Sequence, residues 1–143
     1  MAANSRFPVA VHIMTALGYR DGESLSSPRL ARSVNTNPVV IRRLLGQLRR
    51  AGLVRARPGK SGGARLARRA EAISLMDIYR AIGAGGPFSI PDKPEHKACE
   101  VSCRIKRILC SVLAETEASI AKSLEKVRLS DLVRDIDAAV SRF

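Results

Sequence analysis

Hydrophobic residues recur at helical spacing along most of this chain, and they alternate with arginine in one short stretch. From Pro38 to Ala51, at about 100° per residue, apolar residues gather on one side of a helix and arginines on the other. The pattern predicts an amphipathic helix with a cationic outer face. The inward residues are Val40, Ile41, Leu44, Leu45 and Leu48, and the outward ones are Val39, Arg42, Arg43, Gly46, Gln47 and Arg50.

A second short helix is predicted just before this one, over the segment SPRLARSV. Ser27 is its expected N-cap and Pro28 its first helical residue. Residues 35 to 37, which separate the two helices, leave room for no more than a tight turn. Two short helices on such a turn form a helix-turn-helix, whose second helix can enter a DNA major groove.

The segment after these helices predicts a two-stranded wing. Gly52 is placed to end the helix, and Leu53 to Arg57 then alternates apolar residues with arginine, as a strand does. Residues 58–63 have turn composition, and Ala64 to Ala67 can return as the partner strand. The wing therefore carries a cationic tip.

Helices are also predicted before the helix-turn-helix and after the wing. Phe7 to Leu17 reads as a core helix because it lacks the flanking features of a secretory leader. Ser74 and Asp77 form a capping box for a helix that reaches Ile82. A loop rich in proline and glycine follows, from Gly83 to Ala98. No apolar run approaches the roughly 20 residues of a membrane span, so the protein is expected in the cytoplasm.

A long helix is predicted from about Glu100 to Val127, followed by a last helix over residues 131–142 that Ser130 caps. The long helix would measure on the order of 40 Å at about 1.5 Å per residue, more than so small a domain can bury alone. We therefore expect a second copy of the chain to cover it, with Ile120 in the interface. In the last helix the residues expected to face inward are Leu132, Val133, Ile136 and Val140.

The net positive charge of the chain comes entirely from its first half. Residues 1–70 hold 14 lysines and arginines against 2 acidic residues, whereas residues 71–143 hold 11 of each. Between Glu23 and Glu71 there are 12 basic residues and no acidic one. Such segregation is typical of a surface that binds a polyanion.

Three stretches resemble the Rrf2 family of bacterial winged helix-turn-helix regulators: NPVVIRRLLGQLRRAGLV, PGKSGGARLAR and ISLMDIYRAI, in this order. That family includes the iron–sulfur cluster regulator and the nitric-oxide-sensing repressor. The resemblance implies a homodimeric transcription regulator, usually a repressor. Two recognition helices related by two-fold symmetry are expected to read a roughly palindromic operator.

The predicted fold class is mainly α, a winged helix-turn-helix domain with a two-stranded β wing plus a long C-terminal dimerisation helix. The DNA-binding domain is expected over residues 1–85, a loop with the first cysteine over 86–99, and the dimerisation and C-terminal helices over 100–143. The candidate DNA-binding residues are Asn37, Val39, Arg42, Arg43, Arg57, Lys60, Ser61 and Arg65.

Cys99, Cys103 and Cys110 lie where the loop meets the long helix. Iron–sulfur members of the family also place three cysteines here, but this chain has a shorter first spacing. A helix that already includes Cys99 would spread the thiols over about 16 Å. A helix that begins near Cys103 would let Cys99 fold back, and His96 could then complete a zinc site.

Four roles for these cysteines follow: a thiol redox switch, structural packing, an iron–sulfur cluster or zinc. Nearby Lys97, Arg104, Lys106 and Arg107 favour reactive thiols. We expect Cys99 to be the sensing thiol, and Cys110 to be buried.

Other classes of function fit the sequence less well. An RNA-binding module usually stacks bases on aromatic residues, and the basic stretch from Ser24 to Ala70 contains none. Gly59-Lys60-Ser61 lacks the earlier glycine of a phosphate-binding loop, since Val54 takes that position. The chain also lacks an evident catalytic arrangement, so we do not expect an enzyme.

Overall fold

The computed structural model describes residues 5–83 and 86–142. Within them, six α-helices and one antiparallel two-stranded ribbon follow the predicted order. The helices are α1 (Arg6–Tyr19), α2 (Ser27–Val34), α3 (Pro38–Arg50), α4 (Leu75–Ala81), α5 (Glu100–Glu125) and α6 (Leu129–Val140), and the strands are β1 (Val54–Arg57) and β2 (Gly63–Leu66).

Helix α1 is the centre of the hydrophobic core, which is almost entirely aliphatic. Its buried residues recur every three or four positions, and it packs against α2, α3, α4, α6 and β2. The core residues contributed by the helix-turn-helix are Leu30, Ala31, Ile41, Leu44 and Leu48. The apolar faces predicted for α2 and α3 therefore meet α1, and their arginines remain outside.

Capping residues fix the ends of the helix-turn-helix. The N-cap of α2 is Ser26, and not Ser27 as predicted, because the Ser26 hydroxyl accepts the amide of Arg29. Asn35 ends α2 in the left-handed conformation, with φ of 63°, which asparagine tolerates better than most residues. Asn37 caps α3 by accepting the amide of Val39 at 2.8 Å.

The wing is held to Leu25, two residues before α2, by an antiparallel β-bridge. Strand β1 pairs with β2 so that Arg55 lies opposite Arg65. On the far edge of β2, Ala64 and Leu25 exchange two backbone hydrogen bonds, of 2.8 and 3.0 Å. An added Cβ at Gly63 would lie 2.5 Å from the Leu25 backbone, so this close approach requires glycine.

Helix α4 begins with the predicted capping box between Ser74 and Asp77. Its amino end is joined to the last part of the chain by backbone bonds from Leu75 to the Val127 carbonyl and from Leu129 to the Ile73 carbonyl.

Helix α6 starts at Leu129, earlier than predicted, so Ser130 is inside the helix and does not cap it. Asp131 accepts the backbone N–H of Arg128. This bond, with a second from the side chain of Arg134, lowers the pKa of the Asp131 carboxyl. Leu129 is fully buried.

The rest of α6 is more exposed than the sequence suggests. Leu132 and Val133 are half-buried, but Ile136 and Val140 are 42% and 56% exposed. The prediction that they face inward is wrong for a single chain, because the residues of α6 after Val133 are exposed.

Helix α5 divides into two halves. The second half packs on α4, and Ile120 there is half-buried within its own chain. The first half stands away from the domain. Its exposed apolar side chains are Val101, Ile105, Ile108, Leu109 and Val112.

Among the residues described, none of the helices combines the length and apolar character needed to cross a membrane. The domain boundary predicted at residue 85 falls at residues 84 and 85, which lie outside the described part. The division into three segments stays a prediction.

Candidate nucleic-acid interface

On the outer face of α3, arginines lie on both sides of a line of small or apolar residues. Measured from the buried residues at about 100° per residue, Gly46 and Val39 lie opposite the core. Arg42 and Arg49 flank them on one side, and Arg43 and Arg50 on the other. All four arginines are exposed, and Val39 is 51% exposed.

Gln47 does not belong to this free face, contrary to the prediction. Its side-chain oxygen accepts the Arg6 guanidinium at 3.0 Å. The same guanidinium donates to the Ile82 carbonyl at 2.9 Å. Gln47 therefore joins α3 to the start of α1 and the end of α4.

Asn37 is exposed at the amino end of α3, next to the outer face. Its side-chain oxygen is engaged in the cap, so the structure assigns it a capping role. Its position still leaves it beside any duplex that contacts Val39.

The tip of the wing is exposed and basic. Lys60 and Ser61 lie in the turn between the strands, and both are exposed. Strand pairing puts Arg55, Arg57 and Arg65 on one face of the ribbon, since Arg55 pairs with Arg65 and side chains alternate along a strand.

Arg65 is less available than Arg55 and Arg57. It is half-buried, and its guanidinium donates to the Gly22 carbonyl in the loop between α1 and α2. It thus ties the wing to that loop.

A cleft of about 360 Å³ separates α3 from the wing. Arg42, Gly46 and Arg49 line it from α3 and Arg57 from β1. The recognition helix and the wing therefore form one continuous cationic surface. Such a surface suits the phosphates on either side of a DNA groove.

One arginine of this surface was missed from the sequence, Arg49. The helical period alone could have identified it, at seven positions from Arg42.

A family model described as an iron-dependent transcriptional regulator, Rrf2, matches residues 3–135. The chain belongs to the Rrf2 family. YwnA of Bacillus subtilis (strain 168), whose name describes an HTH-type transcriptional regulator, is 34% identical over 134 residues. That match covers 93% of this chain and 95% of YwnA.

Solved structures of the Rrf2 family share this fold. T. potens IscR superimposes with a TM-score of 0.71 at 24% identity, over 94% of this chain and 88% of IscR. The oxidized form of Staphylococcus aureus CymR gives 0.67 at 25% identity, over 93% and 96%. These matches confirm the predicted fold class and the family resemblance. The chain is a transcriptional regulator with a DNA-binding winged-helix fold.

The Rrf2 family model is described as iron-dependent, and cysteine thiolates are the residues that hold iron–sulfur clusters. Cys99 is the N-cap of α5, and its sulfur accepts the amide of Ser102 at 3.5 Å. The Cys103 thiol points back toward the carbonyls of His96 and Lys97, at 3.7 and 3.8 Å. Both thiols therefore lie at the first turn of α5.

Cys110 lies two turns further along, and it is exposed. The prediction that it is buried is wrong for a single chain, because the first half of α5 has no neighbour on that side.

This arrangement does not fit a metal site built by one chain. Because α5 begins at Glu100, the three cysteines extend over about 16 Å at the helical rise. Among the described residues, no group of three or more His, Cys, Asp or Glu side chains is close enough to hold a metal ion. His96 does not complete a set with Cys99, Cys103 and Cys110, so the folded-back zinc arrangement is absent from these residues.

Proposed function

We propose that this Rrf2-family protein is a cytoplasmic, sequence-specific DNA-binding repressor that acts as a homodimer on a palindromic operator. The observation that carries the proposal is the continuous cationic surface of α3 and the wing. Exposed arginines cover the outer face of α3, and no acidic residue occurs between Glu23 and Glu71. Helices α2 and α3 and the wing therefore contribute no carboxylate side chain to this face.

We assign base contacts to α3 and backbone contacts to the wing. Arg42 and Arg43 lie beside the central strip, where a guanidinium can reach the O6 and N7 acceptors of guanine. Val39 can contact a thymine methyl group. Arg57, Lys60 and Ser61 suit phosphates or a narrow minor groove.

Selection from a randomised duplex library tests this function. The purified protein should enrich one palindromic sequence with two half-sites about one helical turn apart. Arg43→Ala should then weaken binding to the enriched duplex by roughly 1–3 kcal/mol and relax preference at one base pair. Failure to enrich any sequence at moderate salt would overturn the proposal.

The proposed dimer uses the exposed half of α5. Five large apolar side chains within little more than three helical turns cost free energy in water, at about 25 cal/mol per Å². A second copy of the chain offers a matching surface. This is a groove of about 770 Å³ between α1, α2 and α6, lined by Val11, Ala16, Tyr19, Leu132, Ile136 and Ala139, among others.

The charged residues that line the groove include Arg20, Arg29 and Asp135, so the proposed contact rests on its apolar side chains. A two-fold axis would bring each α5 onto the groove of the other copy, so that the same contact forms twice. Ile136, which lines the groove, would then be covered.

We further propose that Cys99 and Cys103 modulate DNA binding through oxidation. Both thiols occupy the first turn of α5, beside the proposed dimer contact. A peroxide would accept two electrons and the two thiol protons, leaving a Cys99–Cys103 disulfide and water. Because Cys99 caps the helix, the bond would fray the first turn and shift the two copies against each other.

A further inference from the structure

Gly46 lies in the interior of the recognition helix, where glycine destabilises a helix relative to alanine. It has ordinary helical φ and not the positive φ that requires glycine. The remaining physical reason to place a glycine here is a close approach of another group to the backbone.

Nothing in the described part of the chain makes that approach. A Cβ built on Gly46 would come within 4 Å of one group only, the Arg50 guanidinium, at 3.6 Å, which is ordinary contact with the end of a flexible side chain. Other glycines differ. A Cβ on Gly62 would lie 2.0 Å from the Arg57 carbonyl, and one on Gly18 would lie 2.9 Å from Val133 of α6.

The surroundings of Gly46 indicate what approaches it. It lies at the centre of the outer face of α3, about two turns after Val39 and between the two pairs of exposed arginines. It also forms part of the cleft between α3 and the wing. Gly46 is half-buried, and the absence of a side chain leaves its backbone open where a duplex, held by arginines on both sides, would meet the helix most closely.

We propose that Gly46 is the point of closest contact between the recognition helix and DNA, where a base edge in the major groove packs directly on the α3 backbone. This inference rests on the proposed function. Gly46 is then a specificity-determining position that acts by shape, because it admits a base pair at a distance that any side chain would prevent. The protein tolerates a methyl group here, and the bound DNA does not.

The substitution Gly46→Ala separates stability from recognition. The variant should unfold at a higher temperature than the unmodified protein, because alanine favours the helix and the space is open. Its affinity for the enriched duplex should fall by about tenfold or more. Gly46→Ser should bind that duplex more weakly still, because its side chain is larger.

Binding to a scrambled duplex of the same length at low salt provides the control. It depends on arginine charges that both variants keep, so it should change less than twofold. Equal affinity of Gly46→Ala and unmodified protein for the enriched duplex would overturn the inference. A lower unfolding temperature for Gly46→Ala would also overturn it, since the protein itself would then require glycine. If the unmodified protein enriches no duplex at all, the proposed function fails instead, and the inference with it.

Discussion

Replacing Gly63 with alanine should loosen the wing from the helix-turn-helix. A Cβ there would lie 2.5 Å from the carbonyl carbon and oxygen of Leu25 and 2.9 Å from the amide of Ser26. These are backbone atoms at the start of α2, so they cannot move aside as a flexible side chain would. Alanine would force apart Leu25 and Ala64, which exchange two backbone hydrogen bonds.

The magnitude follows from these contacts. Two backbone hydrogen bonds contribute about 0.5–1.5 kcal/mol each. If the chain instead keeps the contact, a strained backbone costs on the order of 1–3 kcal/mol. Either route lowers the free energy of unfolding by roughly 1–3 kcal/mol, against a typical total of about 5–15 kcal/mol.

Urea unfolding followed by circular dichroism measures the loss of free energy of unfolding. Fluorescence anisotropy with a labelled duplex measures the DNA affinity, which a loosened wing should lower. The matched control is Gly59→Ala at the wing tip, where φ is +101° and no heavy atom lies within 4 Å of the added Cβ. The control should show backbone strain without loss of the Leu25 contact. If Gly63→Ala has the same midpoint and affinity as Gly59→Ala, the contact between β2 and residue 25 does not hold the wing.

Three further predictions concern the wing tip, the dimer and the thiols. Lys60→Ala should lower affinity for the enriched duplex and reduce the slope of log K against log salt by about one unit; an unchanged slope would place the wing away from DNA. Ile108→Arg should give a monomer by light scattering at micromolar concentration and abolish operator binding, whereas Ile120→Arg should mainly lower the unfolding temperature; a monomeric unmodified protein would contradict the proposed dimer. Mild peroxide should weaken operator binding reversibly, and Cys99→Ser should remove that response. The switch is ruled out if peroxide-treated protein binds the operator as before and mass spectrometry finds Cys99 unmodified. An iron-containing protein from an oxygen-free preparation would favour a cluster.

The sequence alone determined the order and type of the elements. Helix periodicity, caps and turn residues act over three or four positions, so they can be identified without knowledge of the rest of the chain. The Ser74–Asp77 box forms its predicted hydrogen bonds. The basic half of the chain was equally evident, because charge is a property of composition.

Tertiary structure decided which of these surface residues remain free. Gln47 was predicted to lie on the outer face of α3. Its side chain instead forms hydrogen bonds with Arg6, which is 41 positions earlier, and with the Ile82 carbonyl, which is 35 positions later. Arg65 is likewise drawn to Gly22 by the fold. The exposure of Ile136, and the half-burial of Ile120 within its own chain, depend on how far α5 and α6 extend past the domain. A periodic pattern indicates that a helix has an apolar face. Only the packing of distant segments determines which part of that face is covered by its own chain.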